Sequence, residues 1–251
     1  MATVERAVGW VKSMVETVLE TTGLTMRFGG VVASNNVNFS LKARELRCLI
    51  GPNGAGKSTF FKCVIGLHTP TEGQVFMRGQ ETTGWHPHEI ASLGVGIKTQ
   101  VPNVMDGLTV FENIWMAGRR FMPSKEASRK AHEIIDRLAL GSIAKAELGR
   151  LAHGERQRVE LGLVAVADPW LVLLDEPAAG MTAEDVDRMS TILHELTRTA
   201  AVVIVEHDMK FIRSIASTVT VFHQGAVLME DHVDKVMSDP VVRNVYLGKK
   251  V

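Results

Sequence analysis

Nine residues decide the fold of this chain, and they read Gly51-Pro52-Asn53-Gly54-Ala55-Gly56-Lys57-Ser58-Thr59. They follow a largely apolar run at residues 46–50 and precede a helical pattern at residues 59–67. This spacing of glycines before a Lys-Ser pair is that of the phosphate-binding loop, which joins a strand to a helix. The stretch therefore predicts a nucleoside triphosphate site at the end of a buried strand.

The residue types in this loop each have a chemical role. Glycine lets the backbone turn tightly enough for several N–H groups to point at one anion. The positive end of the following helix faces the same phosphates. Lys57 supplies a charge for the β- and γ-phosphates, and Ser58 supplies a hydroxyl ligand for Mg²⁺. We therefore expect the nucleotide to be held by Asn53, Gly54, Ala55, Gly56, Lys57, Ser58 and Thr59.

Two further apolar runs end in residues that suit phosphate hydrolysis. Residues 171–174 lead into Asp175 and Glu176, and residues 201–205 lead to His207. Ligands of an open α/β sheet lie at the carboxyl ends of its strands. We therefore expect Asp175 to hold Mg²⁺ and Glu176 to act as the general base on the attacking water. His207 is predicted to contact the γ-phosphate, the alternative being an ordinary helix-start residue.

The order of these patterns predicts an α/β fold. From residue 24 onward, short strand-like runs give way to strands and helices in alternation, which favours a parallel sheet covered by helices. Between Gln100 and about residue 168 the pattern is helical, with residues 126–140 as its clearest helix, so we expect a helical subdomain at about residues 101–168. Residues 219–227 are typical of two strands joined by Gln224-Gly225.

The first 20 residues carry valines at positions 4, 8, 11, 15 and 18. This spacing predicts an amphipathic helix over residues 1–20, packed on its own domain or on a neighbouring subunit. A membrane-surface helix is the alternative, and the scarcity of Lys and Arg on the polar face argues against it. Residues 21–251 would then form one domain.

Composition excludes several classes of protein. Lys plus Arg and Asp plus Glu number 28 each, so no bulk positive charge is available for nucleic acid, and we expect no nucleic-acid partner. The two cysteines, Cys48 and Cys63, match no metal or disulfide spacing, which favours a reducing compartment. No apolar stretch approaches the roughly 20 residues of a membrane span, and no secretion signal is visible. These features predict a cytoplasmic protein.

A glycine-marked turn between these motifs points to one family. The turn reads Leu151-Ala152-His153-Gly154-Glu155 and opens a helix. It resembles the signature motif of the ABC-type ATPases, which usually reads Leu-Ser-Gly-Gly-Gln. Gln100 follows a strand-like run at residues 95–98, where that family has its Q-loop. With the phosphate loop, the Asp175-Glu176 pair and His207 in the same order, the chain resembles this family over about residues 24–247.

The resemblance implies a fold, an activity and an assembly. The fold would be a parallel-sheet core around the phosphate loop, with an N-terminal antiparallel β part and an inserted helical subdomain. The activity would be hydrolysis of ATP with Mg²⁺, with Gln100 joining Ser58 and Asp175 as a metal ligand. Phe28 would stack on adenine, unless it is a core phenylalanine. Two subunits, identical or sibling, would pair head to tail, so that the partner's nucleotide meets Ala152, His153, Gly154 and Glu155.

Longer phrases are similar to one subgroup, the ATP-binding subunits of importers for branched-chain amino acids and urea. These phrases are Phe28-Gly29-Gly30, residues 108–113, residues 175–181, residues 205–209 and residues 245–248. Residues 45–48, His153-Gly154 and residues 223–225 favour the urea branch. This resemblance implies membrane permeases, a periplasmic or extracellular solute-binding protein, and a position on the inner face of the plasma membrane.

Two other functions use the same phosphate loop. One is a soluble ABC-type ATPase that acts on ribosomes or DNA. Such proteins usually carry fused ATPase domains or long coiled-coil insertions, whereas the helical block of this chain is short. The other is a small-molecule phosphotransferase, against which the signature turn and His207 argue.

The chain departs from the usual family pattern at four positions. Ala152 replaces the signature serine, so the hydroxyl that reaches the partner's γ-phosphate is absent. His153 replaces the first signature glycine and Glu155 replaces the glutamine. Thr182 occupies the position of an aspartate in the family's D-loop.

A dense apolar set follows Gln100 and predicts a contact with the membrane subunits. Part of the set is expected to be helical core, and part to form a groove beside the Q-loop that receives a short permease helix. The set comprises Val101, Pro102, Val104, Met105, Leu108, Phe111, Ile114, Trp115 and Met116.

Overall fold

The computed structural model describes residues 16–101 and 104–247, and the strands in these residues form two sheets. The first sheet is antiparallel, with the order β2-β1-β4-β5, and consists of β1 (Thr17–Phe28), β2 (Val31–Lys42), β4 (Glu72–Met77) and β5 (Gln80–Glu81). The second has the order β10-β9-β3-β8-β7-β6 and consists of β3 (Leu46–Ile50), β6 (Val95–Lys98), β7 (Leu171–Asp175), β8 (Ala201–Val205), β9 (Thr218–His223) and β10 (Ala226–His232). Its neighbouring strands are parallel except that β10 is antiparallel to β9. The predicted α/β class and antiparallel N-terminal part are confirmed.

Helices cover the second sheet and form the block between its strands. They are α1 (Lys57–Val64), α2 (Pro87–Ser92), α3 (Val110–Arg119), α4 (Ser124–Arg137), α5 (His153–Ala165), α6 (Ala183–Thr197), α7 (Met209–Ile215), α8 (Val233–Ser238) and α9 (Pro240–Leu247). The predicted helical block thus contains α3, α4 and α5, with short 3₁₀ turns at Gly141–Ile143 and Leu148–Arg150. Among the helices of the described residues, none has the length and apolar character that crossing a bilayer requires.

The central strands of the second sheet are buried along their whole length. Every residue of β3, β7 and β8 is buried, which accounts for the apolar runs from which these strands were predicted. Arg47 and Asp175 are the charged exceptions, and the guanidinium of Arg47 is satisfied by ion pairs with Glu45 and Glu230 and by a hydrogen bond of 3.0 Å to Thr220 Oγ1. A rigid, buried strand therefore leads directly into the phosphate loop.

Helix α1 is fixed between the two sheets by an aromatic contact. Phe60 is buried, and its ring lies 5.5 Å from that of Phe39 in β2 and 5.3 Å from that of Phe222 in β9. Since α1 begins at Lys57, this packing sets the direction in which the first turn of the helix faces the nucleotide site.

The predicted N-terminal helix is wrong at its C-terminal end. Thr17 to Glu20 belong to β1, where Thr17 pairs with Lys42 of β2 and Leu19 pairs with Met77 of β4. Val18 is buried as a strand residue and is not part of a helical stripe. Two neighbouring strands provide ladder hydrogen bonds on both sides of β1, which a valine spacing of three or four does not reveal. The rest of the predicted helix, residues 1–15, lies outside the described residues.

Removing the Phe60 ring should loosen the join between the sheets. We expect Phe60→Ala to lower the free energy of unfolding by about 3–5 kcal/mol, because a large buried ring would leave a cavity. Chemical denaturation of the nucleotide-free protein measures this. Phe28→Ala is the matched control, since that ring is 45% exposed and its loss should cost less than about 1 kcal/mol. Equal effects of the two variants would contradict the packing role of Phe60.

Candidate active site

The phosphate loop is held in place by backbone contacts on both sides. Gly51 and Gly56 have φ angles of +149° and +102°, in the region that favours glycine. A side chain at Gly51 would overlap the Phe222 carbonyl oxygen, and a Cβ at Gly56 would lie 2.5 Å from the Ala33 oxygen. The Ala55 carbonyl accepts a hydrogen bond of 2.9 Å from the Gly225 amide. The glycines are therefore required both for the turn and for its close approach to β2 and β9.

Lys57 directs its charge into this loop. Its Nζ donates hydrogen bonds of 2.6 Å to the Gly51 carbonyl and 3.1 Å to the Pro52 carbonyl. Burial lowers the pKa of Lys57, while the negative charges of Glu176 and Asp175 act in the opposite direction. The ammonium thus lies on the loop near two carboxylates, in the place predicted for a phosphate-binding lysine.

The predicted acids and the loop lie at one edge of the sheet. In the parallel register, Leu49 of β3 and Asp175 of β7 both lie opposite Val205 of β8. Strands β3, β7 and β8 therefore end at nearly the same level of the sheet. The phosphate loop, the Asp175-Glu176 pair and His207 lie at or just beyond these strand ends. The structure brings these predicted residues together as expected.

Asp175 is a buried carboxyl with an unused oxygen. It is 4% exposed, and its Oδ1 has no hydrogen-bond partner among the described residues. Burial, helped by the negative charge of Glu176, raises the pKa of Asp175 to about 6, although Lys62, Lys98 and Lys57 oppose the shift. An orphaned carboxylate oxygen at the sheet edge that carries the phosphate loop, together with the Ser58 hydroxyl in the first turn of α1, is the kind of donor set that Mg²⁺ prefers beside phosphates. The residues therefore fit that ion.

Glu176 and His207 approach each other at the rim of the site. Glu176 has φ +48°, and its amide donates to the Val205 carbonyl at 2.9 Å. This left-handed backbone, which costs a non-glycine residue about 1–2 kcal/mol, turns the chain away from the strand. Glu176 Oε1 lies 3.5 Å from His207 Nδ1, and both side chains are partly exposed. The predicted general base and the predicted phosphate-contacting imidazole are thus neighbours, open to a ligand.

Glu206, a buried acid beside His207, was not among the predicted site residues. Its two carboxylate oxygens accept hydrogen bonds from the amides of Ala178 at 3.3 Å, His207 at 2.8 Å and Asp208 at 3.3 Å. The only signal in the sequence is an acid between an apolar strand and a histidine. That signal does not distinguish a buried acceptor from a solvated strand end.

The signature turn, residues 152–155, starts helix α5. Ala152 occupies the N-cap position without a side-chain acceptor, and Glu155 Oε2 accepts from the Ala152 amide at 3.0 Å. His153 Nε2 donates to the Ala179 carbonyl at 2.7 Å. A side chain at Gly154 would overlap the Asp185 carboxylate. The turn therefore contacts residues 178–182, which we call the D-loop segment, within its own subunit.

Phe28 ends β1 of the antiparallel sheet, whereas Gln100 follows β6, whose Lys98 pairs with Leu174 just before Asp175. The Phe28 ring is half-exposed, not core, and meets His68 edge to face at 5.4 Å. It can therefore offer a face to a base. Gln100 follows β6 in an exposed turn closed by a hydrogen bond of 3.0 Å from Thr99 Oγ1 to the Val101 carbonyl. The side chain of Gln100 makes no hydrogen bond within residues 16–101 and 104–247, and its role as a metal ligand stays a prediction.

Comparisons with known proteins agree with this geometry. The sequence profile of the ABC transporter family matches residues 34–179. The chain is 33% identical to BraF, a high-affinity branched-chain amino acid transport ATP-binding protein of Pseudomonas aeruginosa, over 92% of this chain and 98% of that protein. It is also 33% identical to LivG of Escherichia coli K12, a protein of the same description, over 94% of this chain and all of LivG.

Solved structures show the same fold. An ATP-binding cassette of an ABC transporter in its ADP conformation superposes with a TM-score of 0.85 at 24% identity, over 93% of this chain and 99% of that one. A dimeric cassette in a post-hydrolysis state with ADP and Pi superposes with a TM-score of 0.76 at 24% identity, over 86% of this chain and 98% of that one.

The raised pKa of Asp175 predicts how the free energy of unfolding depends on pH. The ordinary pKa of 3.8 becomes about 6 in the folded protein. Between these values the folded carboxyl keeps a proton that the unfolded chain has lost, so stability falls as the pH rises and the full penalty is present above about pH 6. Asp175→Asn should therefore raise the free energy of unfolding at pH 8 by on the order of 3 kcal/mol, and the gain should disappear toward pH 4.

Urea denaturation of the nucleotide-free protein across this pH range measures the effect. Asp187→Asn, an exposed acid on α6, is the control and should change little at any pH. A pH-independent gain in the Asp175 variant would contradict the assigned cause.

Proposed function

Because the chain is an ATPase of the ABC transporter family, we propose that it powers an importer for branched-chain amino acids or urea through partner permeases. The observation that carries the proposal is the meeting of the phosphate loop, Asp175, Glu176 and His207 at one sheet edge. BraF and LivG, which match along almost their whole length, support branched-chain amino acids as the solute. The phrases at residues 45–48 and 223–225 support urea.

The residues present define how ATP would be bound. The loop amides and Lys57 surround the phosphates, and the exposed face of Phe28 receives adenine. Ser58, Asp175 and Gln100 are the residues that would hold Mg²⁺, which when bound neutralises charge on the β- and γ-phosphate oxygens. The unpartnered Oδ1 of Asp175 supports this assignment, since ligation would satisfy it.

Hydrolysis needs a general base whose side chain is accessible to water and is directed toward the site where the water attacks. Glu176 meets this need because it is partly exposed and its backbone conformation directs it away from the buried strand. Its carboxylate takes a proton from the attacking water, while the imidazole of His207, 3.5 Å away, contacts the γ-phosphate and orients the acid. The two side chains therefore form the catalytic pair.

The signature turn would complete the site of a second subunit. The dimeric cassette described above supports a head-to-tail dimer, formed with an identical or a sibling subunit. Since Ala152 has no hydroxyl, the contact with the partner's γ-phosphate falls to the free N–H groups at the start of α5, around Gly154 and Glu155. These donors act with the helix dipole and do not require the missing serine.

An apolar groove beside Gln100 supports docking of a permease. The groove encloses about 660 Å³, and its exposed apolar members are Leu67, Val101, Met105, Met116 and Phe121. Of the rest of the predicted set, Ile114 is buried core of α3, Phe111 and Trp115 on α3 are partly buried, Val104 and Leu108 precede the helix, and Pro102 lies outside the described residues. Asn113 accepts from the Met105 amide at 2.9 Å and donates to its carbonyl at 3.0 Å, so the rim is rigid. This surface suits a short amphipathic permease helix, which would hold the ATPase at the inner face of the plasma membrane.

The transport role is tested by uptake in cells that lack this gene. Loss of labelled leucine uptake with normal urea uptake supports an importer of branched-chain amino acids, and the reverse supports urea. Either result supports the expectation of a solute-binding protein outside the membrane, because the partner subunits would then determine which solute is transported. We expect no nucleic-acid partner in this process. Normal uptake of both solutes contradicts the proposed solute class.

Removal of the proposed base should separate binding from turnover. We expect Glu176→Gln to bind ATP like the wild type but to hydrolyse it at least about 100-fold more slowly, because the shape is kept and the base is lost. The variant should also accumulate as an ATP-bound dimer, which size-exclusion chromatography detects.

Two further variants complete this experiment. Lys57→Ala should instead weaken ATP binding by about tenfold or more, because a charge-assisted contact with the phosphates is lost. Glu195→Gln, a remote acid on α6, should behave like the wild type. Hydrolysis by Glu176→Gln within a few-fold of the wild-type rate would contradict its role as the base.

A charge in the groove should uncouple the ATPase from its permeases. Met105 is 52% exposed, so Met105→Glu should fold normally and keep its affinity for ATP while losing most permease binding. Val241→Glu, at an exposed apolar position on α9, is the matched control and should co-purify with the permeases. Full permease binding by Met105→Glu, or equal losses in both measurements, would contradict the docking site.

A further inference from the structure

The D-loop segment is held between two side chains from different parts of the chain. Glu206 follows β8, and His153 starts α5. They reach adjacent backbone groups of the segment, the amide of Ala178 and the carbonyl of Ala179. The sequence separations are 28 and 26 residues, so these are tertiary contacts and not features of a local turn.

Glu206 uses its whole carboxylate for this purpose. It is 1% exposed, and a buried carboxylate is tolerated only when it is well hydrogen-bonded. Oε1 accepts from the Ala178 amide, whereas Oε2 accepts from the amides of His207 and Asp208. The acid therefore fixes the start of the D-loop segment relative to the backbone that carries His207.

His153 holds the next residue from the opposite side. Because a carbonyl oxygen only accepts, the imidazole Nε2 must carry the proton that it donates to Ala179 at 2.7 Å. Gly180 makes room for the ring: its φ is +71°, and a Cβ there would lie 3.3 Å from two imidazole atoms. A glycine in the D-loop segment thus matches a histidine in the signature turn.

The far end of the segment is anchored to the same turn. Thr182 caps α6, with its Oγ1 accepting from the Asp185 amide at 3.3 Å and donating to the Asp185 carboxylate at 2.8 Å. Gly154 packs against that carboxylate so closely that it leaves no space for a side chain. Residues 178–182 and the signature turn therefore form one block.

We propose that Glu206 and His153 are positioning residues for ATP hydrolysis, which hold the D-loop segment as a rigid link between the signature turn and the Glu176–His207 pair. The inference rests on the proposed function, because the signature turn would serve the partner's nucleotide and Glu176 its own. Through this link, closure of the partner's site on one side fixes the backbone of His207 on the other.

The first test removes the imidazole of His153, whose Nε2 donates to Ala179 and also lies 3.3 Å from Gln157 Nε2. His153→Phe keeps a ring but removes the N–H donor, and His153→Gln restores a donor. We expect His153→Phe to lower kcat by about tenfold, the worth of a strong hydrogen bond, while the affinity of the isolated subunit for ATP stays within about twofold. His153→Gln should recover most of the loss. His194→Phe is the matched control, because it removes a similar bond of 2.9 Å, from His194 Nε2 to the Ser214 carbonyl, far from the site.

The second test needs no nucleotide. Amide hydrogen exchange of the peptide covering residues 177–182 should speed up in His153→Phe and in Glu206→Gln, since a glutamine has one acceptor oxygen for donors on two sides. Thermal unfolding checks that Glu206→Gln still folds, and His153→Phe tests the proposal independently if it does not.

The outcomes separate this inference from the proposed function. Unchanged exchange and turnover in His153→Phe, equal to those of His194→Phe, would overturn the positioning role even if the wild type hydrolyses ATP. A wild type without ATPase activity would overturn the proposed function, while faster exchange in the two variants would still support the structural link.

Discussion

The level at which three parallel strands end is the constraint on which the rest of the molecule depends. Val205 lies opposite both Leu49 and Asp175, so β3, β7 and β8 deliver their following residues to one edge. Buried strands are stiff because they are packed on both faces, and side chains that follow them inherit this rigidity. The phosphate loop, the acid pair and His207 therefore meet without long loops that would have to be ordered by the ligand.

The same arrangement concentrates charge in the interior. Asp175, Glu206 and Lys57 are buried, and so is the ion pair between Lys98 Nζ and Glu160 Oε2 at 3.2 Å. That pair lies on the groove and joins β6, which leads to Gln100, to α5, which starts at the signature turn. Paired burial of this kind does little for net stability but fixes one arrangement of the elements. The buried Lys98–Glu160 pair therefore connects the sheet edge that carries the predicted nucleotide site to the wall of the groove.

Most of this site could be predicted from the sequence, because its motifs consist of residues that are adjacent in the chain. The phosphate loop, β3 and the acid pair at the end of β7 were predicted at their observed positions, since each prediction rests on neighbouring residues. The helix expected at residues 17–20 failed because periodicity does not reveal two partner strands. Glu206 and the contact of His153 with Ala179 were missed, because a bond across about 25 residues depends on how the chain folds back. Strands β4 and β5 were not predicted either, and their exposed polar residues explain why.

The fit of the His153 ring over Gly180 also limits how such a chain can change through evolution. A Cβ at Gly180 would press on the imidazole as well as strain the backbone, whereas without the ring only the backbone strain would remain. A larger residue at 180 is thus better tolerated after the histidine has been lost than before. Positions 153 and 180 are therefore epistatic, because a substitution of Gly180 is better tolerated after His153 has been replaced than before. Substitutions in the signature turn therefore constrain which substitutions the D-loop segment tolerates.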